Sequence, residues 1–344
     1  MSHASPEFTP EIIIQIQETC ALRKDLVTAN LEGAYRLYSG FGEGFRHLVI
    51  DRFHHTLIFF DYSPEGNLAA EELLELAEKI RQTYPDLKSI ILKVRNSGQA
   101  ELRKGVVLWG ETPDRWIRED GIRYAINLQM NQDASFYIDT RNLRRWLINN
   151  ASGKTVFNTF AYTGSLGVAA TAGAARQVIQ TDLNRAFLNL AKKSSMLNGY
   201  AVHKPDYING DFFRVIQRLK KEDRIFDIAI LDPPFFSDTK SGRVDIVNEY
   251  QRLLNKLRPL VAHNGILVAI NNAVFLPGSA YMEQLEELCQ NQYLSIEDII
   301  AVPEDCVGYA QFPSPTPFID PAPFNHSTKI VLLRVTRKDE RISA

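Results

Sequence analysis

Cys20, Cys289 and Cys306 are the only cysteines in 344 residues, and they show neither a C-x-x-C pair nor Cys/His ligand spacing. That excludes a disulfide framework and a zinc site, leaves no metal to expect, and predicts a reducing, cytoplasmic setting. The N-terminus is polar and lacks an apolar h-region, and no apolar run approaches the roughly 20 residues a bilayer span needs, so neither an export signal nor a membrane helix is expected. With a formal net charge of -2 there is no excess of one sign, and any nucleic-acid contact must rest on local patches. A strict G-x-G-x-x-G fingerprint for a pyrophosphate is missing as well.

What is present is apolar residue enough, 45% of the chain, for a substantial core and two domains. Residues 1–30 read as an N-terminal extension with a helix over 11–26, begun by Thr9-Pro10 and striped by Ile12, Ile13, Ile16, Cys20 and Leu22. Residues 31–118 read as a small α+β domain ordered strand-strand-helix-strand-strand: strands at 35–38, 48–53 and 56–60, a helix over 68–84 with Leu73, Leu74, Ala77 and Ile80 inward, then strands at 87–94 and 105–108. It is too compact for a nucleotide-binding fold. No helix follows the glycine-rich stretch 39–44, which argues for a structural loop over a phosphate cradle. His54-His55 reads as a solvated turn.

Residues 119–338 read as the second domain: strand character resumes at 122–127, and from Asn131 the pattern becomes strictly alternating. Strands at 155–158, 177–181, 206–208, 226–231, 265–271, 294–302 and 329–335 alternate with helices over 140–149, 164–172, 184–197, 212–221, 246–260 and 278–291. That order predicts an α/β, Rossmann-like, doubly wound sheet of seven strands, mostly parallel, with an antiparallel edge where the last two strands have no helix between them. The proline- and aromatic-rich stretch 311–324 is expected to reach back over the carboxyl edge.

The chemistry concentrates at the carboxyl ends of successive strands, where open α/β sheets bind ligands. The apolar run from Phe226 to Leu231 has the character of a strand buried on both faces, and it stops at Asp232-Pro233-Pro234-Phe235-Phe236, where two prolines remove backbone donors. This segment is the expected reaction centre. The preceding strands end at Asn158, leading into a loop with Gly164 and Gly167 at a helix start, at Asp182, placed to accept from ribose hydroxyls, and at Asn209-Gly210-Asp211, with Phe212 beside an adenine ring. Each acid alone is an ordinary helix cap. Ligand-type residues at four consecutive strand ends point instead to a nucleoside-containing cofactor.

These motifs, NTFAYTG, Asp182, NGD and DPPFF, resemble those of class I S-adenosylmethionine-dependent methyltransferases. QDASFYIDTRNLRRWL at 132–147 and RLYSGFGEGFRHLVIDRF at 36–53 are similar to the bacterial large-subunit (23S) ribosomal RNA methyltransferases that modify cytosine carbon 5 or guanine nitrogen 7. The resemblance implies S-adenosylmethionine as cofactor, with Phe136, Asp139, Arg141, Asn158, Phe160, Tyr162, Thr163, Gly164, Asp182, Leu183, Asp211 and Phe212 around it. It implies RNA as partner, with Asp232, Pro233, Pro234 and Phe235 catalytic. Two features depart from the cytosine-type members: nothing before Arg36 is long enough for their PUA module, and Asn271-Asn272 stands where they carry a nucleophilic cysteine after the fifth strand. Carbon 5 of cytosine becomes nucleophilic only after a thiolate adds to carbon 6, whereas a guanine ring nitrogen attacks the methyl group directly.

The expected base contacts are Asp232, Phe235, Phe236, Asn271 and Asn272. The expected phosphate contacts are Arg144, Arg145, Lys240 and Arg243. The leading expectation is therefore an RNA guanine methyltransferase. Methylation of another base position or of a protein amide is the alternative within the same chemistry, and a catalytically silent RNA-binding assembly factor is the alternative outside it.

Overall fold

In the computed structural model, residues 8–66, 68–239, 242–246, 249–309 and 319–338 are described. The chain forms two units, one of Met1–Ile138 with Pro303–Phe318 and the other of Asp139–Val302 with Ile319–Ala344.

In the first unit, Thr9 caps helix α1 (Pro10–Ala21) by accepting from the Ile12 N–H. The helix expected through residue 26 breaks after Ala21, and α2 (Lys24–Ala29) restarts beyond Arg23. Arg23 is fully buried, pairs with Glu43 at 2.8 Å and donates back to the Thr19 carbonyl. Satisfying a buried guanidinium outweighs continuing the helix. Ile13, Ile16 and Cys20 share one core with the unit's sheet, so the first thirty residues belong to this unit rather than forming an extension.

That sheet runs β1 (Ala34–Tyr38), β2 (Leu48–Phe53), β3 (Thr56–Asp61), β4 (Ser89–Val94) and β5 (Val106–Gly110) in spatial order. The β3–β4 pair is parallel and is joined by α3 (Ala70–Thr83); the other neighbours are antiparallel. The buried stripe of α3 is Leu73, Leu76, Ala77 and Ile80, the i, i+3, i+4, i+7 set, while Leu74 is exposed. Two elements were not anticipated: α4 (Ala100–Lys104) and β6 (Trp116–Glu119), which pairs with the expected strand at 122–127, β7 (Ile122–Ala125), as a separate hairpin. The latter carries the unit past residue 118, to Ile138.

The glycine-rich stretch is a structural loop, closed by the Ser39 N–H donating to Glu43 Oε2 at 2.7 Å. His54 and His55 do not form a solvated turn. Their Nδ1 atoms lie 3.2 Å from Asp114 Oδ1 and 3.1 Å from Asp86 Oδ2, and His54 is buried.

The second unit follows the alternating pattern: α5 (Arg141–Asn150), β8 (Thr155–Thr159), α6 (Ser165–Ala172), β9 (Gln177–Asp182), α7 (Arg185–Leu197), β10 (Tyr207–Asn209), α8 (Phe212–Lys221) and β11 (Phe226–Leu231). Where a helix over 246–260 was expected, a hairpin of β12 (Phe236–Thr239) and β13 (Gly242–Asp245) comes first. It is followed by α9 (Tyr250–Leu257) and a 3-10 turn at Arg258–Leu260, where Pro259 lacks a donor. Then come β14 (Val261–Asn271), α10 (Gly278–Cys289), β15 (Leu294–Ile299) and β16 (Lys329–Val335).

The seven strands lie in the order β10-β9-β8-β11-β14-β16-β15, parallel except where β16 runs antiparallel between β14 and β15. Strand β11 is buried on both faces, as its apolar run predicts. Ile228 and Ile230 pack with Leu143, Leu147 and Leu166, and Ala229 and Leu231 pack with Leu219, Leu253 and Leu257. Fully burying each large side chain stabilises the sheet by about 1.5–3 kcal/mol.

From β8 the chain winds outward to β9 and β10, then crosses back to β11 on the other side of β8. That reversal opens a crevice at the carboxyl ends of β8 and β11, the topological switch point. Of the proline-rich stretch, residues 311–318 lie outside the described residues.

Candidate active site

Beyond β8 the backbone takes unusual conformations. Phe160 and Tyr162 have φ of 50° and 51°, a left-handed region costly for aromatic residues, and Gly164 caps α6 at φ 78°. The strain is held by hydrogen bonds from the neighbouring strand. The Ala161 N–H donates to the Thr181 carbonyl at 2.8 Å and the Tyr162 N–H to Asp182 Oδ2 at 2.9 Å. Asp182 Oδ1 accepts from the Asn184 N–H at 2.8 Å, and burial raises the carboxyl above its usual range. Asn209 in turn donates from Nδ2 to the carbonyls of Asp182 and Leu183 at 3.1 and 2.8 Å, and the Gly210 N–H donates to the Asp182 carbonyl. Three strand ends thereby form one rigid rim.

The glycines of the first loop serve a different purpose from the one expected. A Cβ on Gly164 would overlap Ala191 Cβ, and one on Gly167 would overlap the side-chain amide of Gln180. Both are small to let α6 pack against its own unit rather than to admit a ligand. Gln180, buried and 3.4 Å from the Asn158 amide through its Oε1, was missed by the sequence reading. Phe212 is likewise not free to face an adenine, because it is buried and stacked on Phe160 at 4.9 Å. Asp211 spends Oδ1 as the cap of α8, accepting from the Arg214 N–H at 3.2 Å.

At the crevice, two buried acceptors stand without hydrogen-bond partners among the described residues: Asn158 Oδ1 and Asp139 Oδ1. Orphaned buried acceptors are costly, and a ligand that brings donors removes the cost. Asp139 Oδ2 is already taken by Thr328 Oγ1 at 2.7 Å. Burial first, and the Asp139 charge second, push the Asp232 carboxyl up to about 7. Asp232 is half-buried, Pro233 buried, Pro234 exposed, and Phe235 is 49% exposed.

Lys329, at the start of antiparallel β16, is buried and donates to the Ala273 and Ser327 carbonyls at 3.0 and 2.7 Å, with burial lowering its pKa to about 8. A signal for it existed in the sequence: a lysine opening an apolar strand that runs against the others must begin at their carboxyl edge.

Other expected contacts are corrected. Asn271 is fully buried and committed, donating to the Ile246 carbonyl at 3.1 Å and accepting from the Ala273 N–H at 2.9 Å, so it does not face a base. Arg144 is fully buried, donating to Thr140 Oγ1 at 2.7 Å, and Arg141 is buried too. Neither presents a phosphate-binding surface, and Arg145 alone of the three is exposed. Asn272, Leu183 and the half-buried Tyr162 keep solvent access, while Thr163 is buried. Phe136 falls in the first unit, buried against Tyr124 at 5.2 Å. The backbones of Phe236 and Arg243 belong to the β12–β13 hairpin, and Lys240 lies outside the described residues.

A seven-stranded sheet of this order, with acids at successive strand ends and buried acceptors awaiting donors, defines a class of nucleoside-cofactor enzyme. The family model for S-adenosylmethionine-dependent methyltransferases matches residues 89–303, and the chain belongs to that family. It is 26% identical over 284 residues, 81% of this chain and 70% of the relative, to the ribosomal RNA large subunit methyltransferase I of Photobacterium profundum. It is 28% identical over 258 residues to the protein of the same name from Yersinia pseudotuberculosis serotype O:1b. That match covers 74% of this chain and 64%, under two thirds, of that relative's length. Among solved structures, SMU.776 complexed with SAH is 25% identical with a TM-score of 0.79, over 94% of this chain and 81% of that one.

The enzyme is thus an S-adenosylmethionine-dependent methyltransferase. The two unpartnered acceptors, Asn158 Oδ1 and Asp139 Oδ1, suit this cofactor, which carries an ammonium group, ribose hydroxyls and an adenine amine.

Proposed function

We propose that the chain methylates a guanine ring nitrogen (N7) of 23S ribosomal RNA by direct attack, with no covalent enzyme intermediate. What carries this reading is the residue after the apolar run of β14. Asn271 stands there with its amide spent on backbone partners, and it is neither a thiol nor a base. The cysteines do not substitute for one. Cys20 and Cys306 are buried, and burial pushes the thiols of Cys20 and Cys289 upward, away from the thiolate that addition to a pyrimidine requires. The names of the curated relatives support ribosomal RNA as the substrate class.

S-Adenosylmethionine supplies an electrophilic methyl on a sulfonium. Asp139 and Asn158 hold its cationic end, and Asp182 accepts from its ribose while keeping the Tyr162 loop in place. Phe235 stacks on the extruded guanine, a contact of about 1–3 kcal/mol per base, and Asp232 accepts from the guanine edge once ionised. A ring nitrogen needs no proton removed, so alignment of its lone pair is the main task of the protein.

Methylation of an exocyclic amine is the second reading, favoured by Asp232 titrating near 7, where it could take up the departing proton. The deciding experiment incubates the enzyme with methyl-labelled cofactor and unmodified ribosomal RNA, then resolves the nucleosides by mass spectrometry. Labelled 7-methylguanosine is expected. Labelled 5-methylcytidine, or a covalent adduct on 5-fluorocytosine RNA, overturns the direct-attack reading.

A further inference from the structure

Strand β10 is an edge of the second unit's sheet, three residues long and, among the described residues, paired only with β9. Beside it, between α7 and α8, lies a groove of about 780 Å³. Five cations line it: Arg185 and Lys192 from α7, Lys204 ahead of the strand, Arg218 from α8, and Arg224. Against these five stand two acids, Asp206 and Glu222, so the groove is clearly positive in a chain whose formal net charge is -2.

Asp206 accepts from Gln177 Nε2 at 2.7 Å, while Glu222 lies 3.5 Å from Arg218 and so offsets one of the five charges. Arg224 donates to Gln177 Oε1 at 2.8 Å, which leaves Arg185, Lys192 and Lys204 as the cations without an acid beside them in the groove lining. A second groove of about 1010 Å³ shares Gln177, Lys204, Pro205, Asp206 and Tyr207 and adds Arg176, so a further cation extends the surface around the edge. Lys192 lies 5.4 Å over the Tyr207 ring, which sets a flat aromatic face among the charges.

A lysine or two beside a bare edge strand guards against sheet-to-sheet pairing. Five cations from four segments exceed that need for a three-residue edge, and concentrated positive charge beside an aromatic ring is the pattern that tracks a phosphate backbone. Asn209 connects the groove to the catalytic rim, since it lines the groove and donates to the Asp182 and Leu183 carbonyls.

We propose that the groove beside β10 binds the phosphodiester backbone of the substrate RNA next to the target base. This rests on the RNA reading above and assigns the backbone contact to a surface other than the α5 arginines.

The test uses the full chain, a fluorescein-labelled single-stranded RNA of about 20 nucleotides, and anisotropy titrations between about 50 and 200 mM KCl. Lys192→Ala/Lys204→Ala/Arg218→Ala is expected to weaken RNA binding roughly tenfold at low salt and to lower the slope of log affinity against log salt by about 2, near 0.7 per lost contact on a single strand. Its calorimetric affinity for S-adenosylmethionine should be unchanged, which reports an intact fold, and Lys192→Arg/Lys204→Arg/Arg218→Lys should bind RNA as the wild type does. If the alanine variant keeps both affinity and slope while the wild type binds RNA, the groove is not the backbone site and the RNA reading stands. If the wild type binds the cofactor but no RNA at all, both fall.

Discussion

The backbone N–H of Tyr162 donates to Asp182 Oδ2 at 2.9 Å, so the carboxylate that ends β9 holds in place the strained loop that ends β8. In the proposed site one side chain therefore links cofactor binding to loop geometry, and the two roles are separable by substitution.

Asp182→Ala removes the acceptors for both Tyr162 and Asn184 and is expected to cost about 1–3 kcal/mol in stability and a similar amount in S-adenosylmethionine affinity. Asp182→Asn keeps one oxygen for the loop and should recover most of the stability but less of the affinity. Thermal melts and calorimetry on both variants check this. Unchanged cofactor affinity in a folded Asp182→Ala protein would remove Asp182 from the cofactor site.

Gly167 is expected to tolerate nothing larger. Its Cβ would overlap the buried amide of Gln180, which itself reaches the Asn158 amide. Gly167→Ala should destabilise the second unit by about 1–3 kcal/mol, the usual scale for overpacking. The double variant Gly167→Ala/Gln180→Ala should recover part of that loss, and equal melting temperatures for wild type and Gly167→Ala would contradict the packing account.

The sequence made the sheet legible because β11 carries apolar residues on both faces, and because the Asp182, Asp211 and Asp232 positions each follow an apolar strand. What stayed illegible depends on tertiary partners. Arg144 looks like a surface cation in α5 but is buried against Thr140, and nothing local distinguishes it from exposed Arg145. Asn271 looks like a base reader until its amide is found closing the turn to Ala273. Gly164 and Gly167 fit both a ligand loop and a tight helix contact, and only the positions of Ala191 and Gln180 decide. The break between α1 and α2 follows from Arg23 meeting Glu43, a partner twenty residues away.

Asp232 also predicts a pH signature. Its carboxyl is raised to about 7 in the folded protein, so the folded state holds a proton that the unfolded chain has already released. Stability from this group is therefore full below about pH 4 and is lost as pH rises toward 7. Asp232→Asn, which never ionises, should gain in melting temperature over wild type at about pH 8 and gain little at about pH 4.5. A constant difference across that range would show that Asp232 titrates normally. The wild-type methyl-transfer rate should rise with pH through an apparent pKa near 7 as Asp232 becomes an acceptor.

The division of labour at the crevice is tested most directly by single-turnover methyl transfer with Asp232→Ala and Phe235→Ala at saturating S-adenosylmethionine, alongside cofactor titration of each variant. If Asp232 and Phe235 serve the target base, both variants bind the cofactor as wild type does and transfer the methyl group at least tenfold more slowly, a loss of about 1.4 kcal/mol or more at the transition state. If Asp232→Ala instead binds cofactor weakly and regains the full rate at saturation, the Asp-Pro-Pro segment belongs to the cofactor pocket and the account of the reaction centre is wrong.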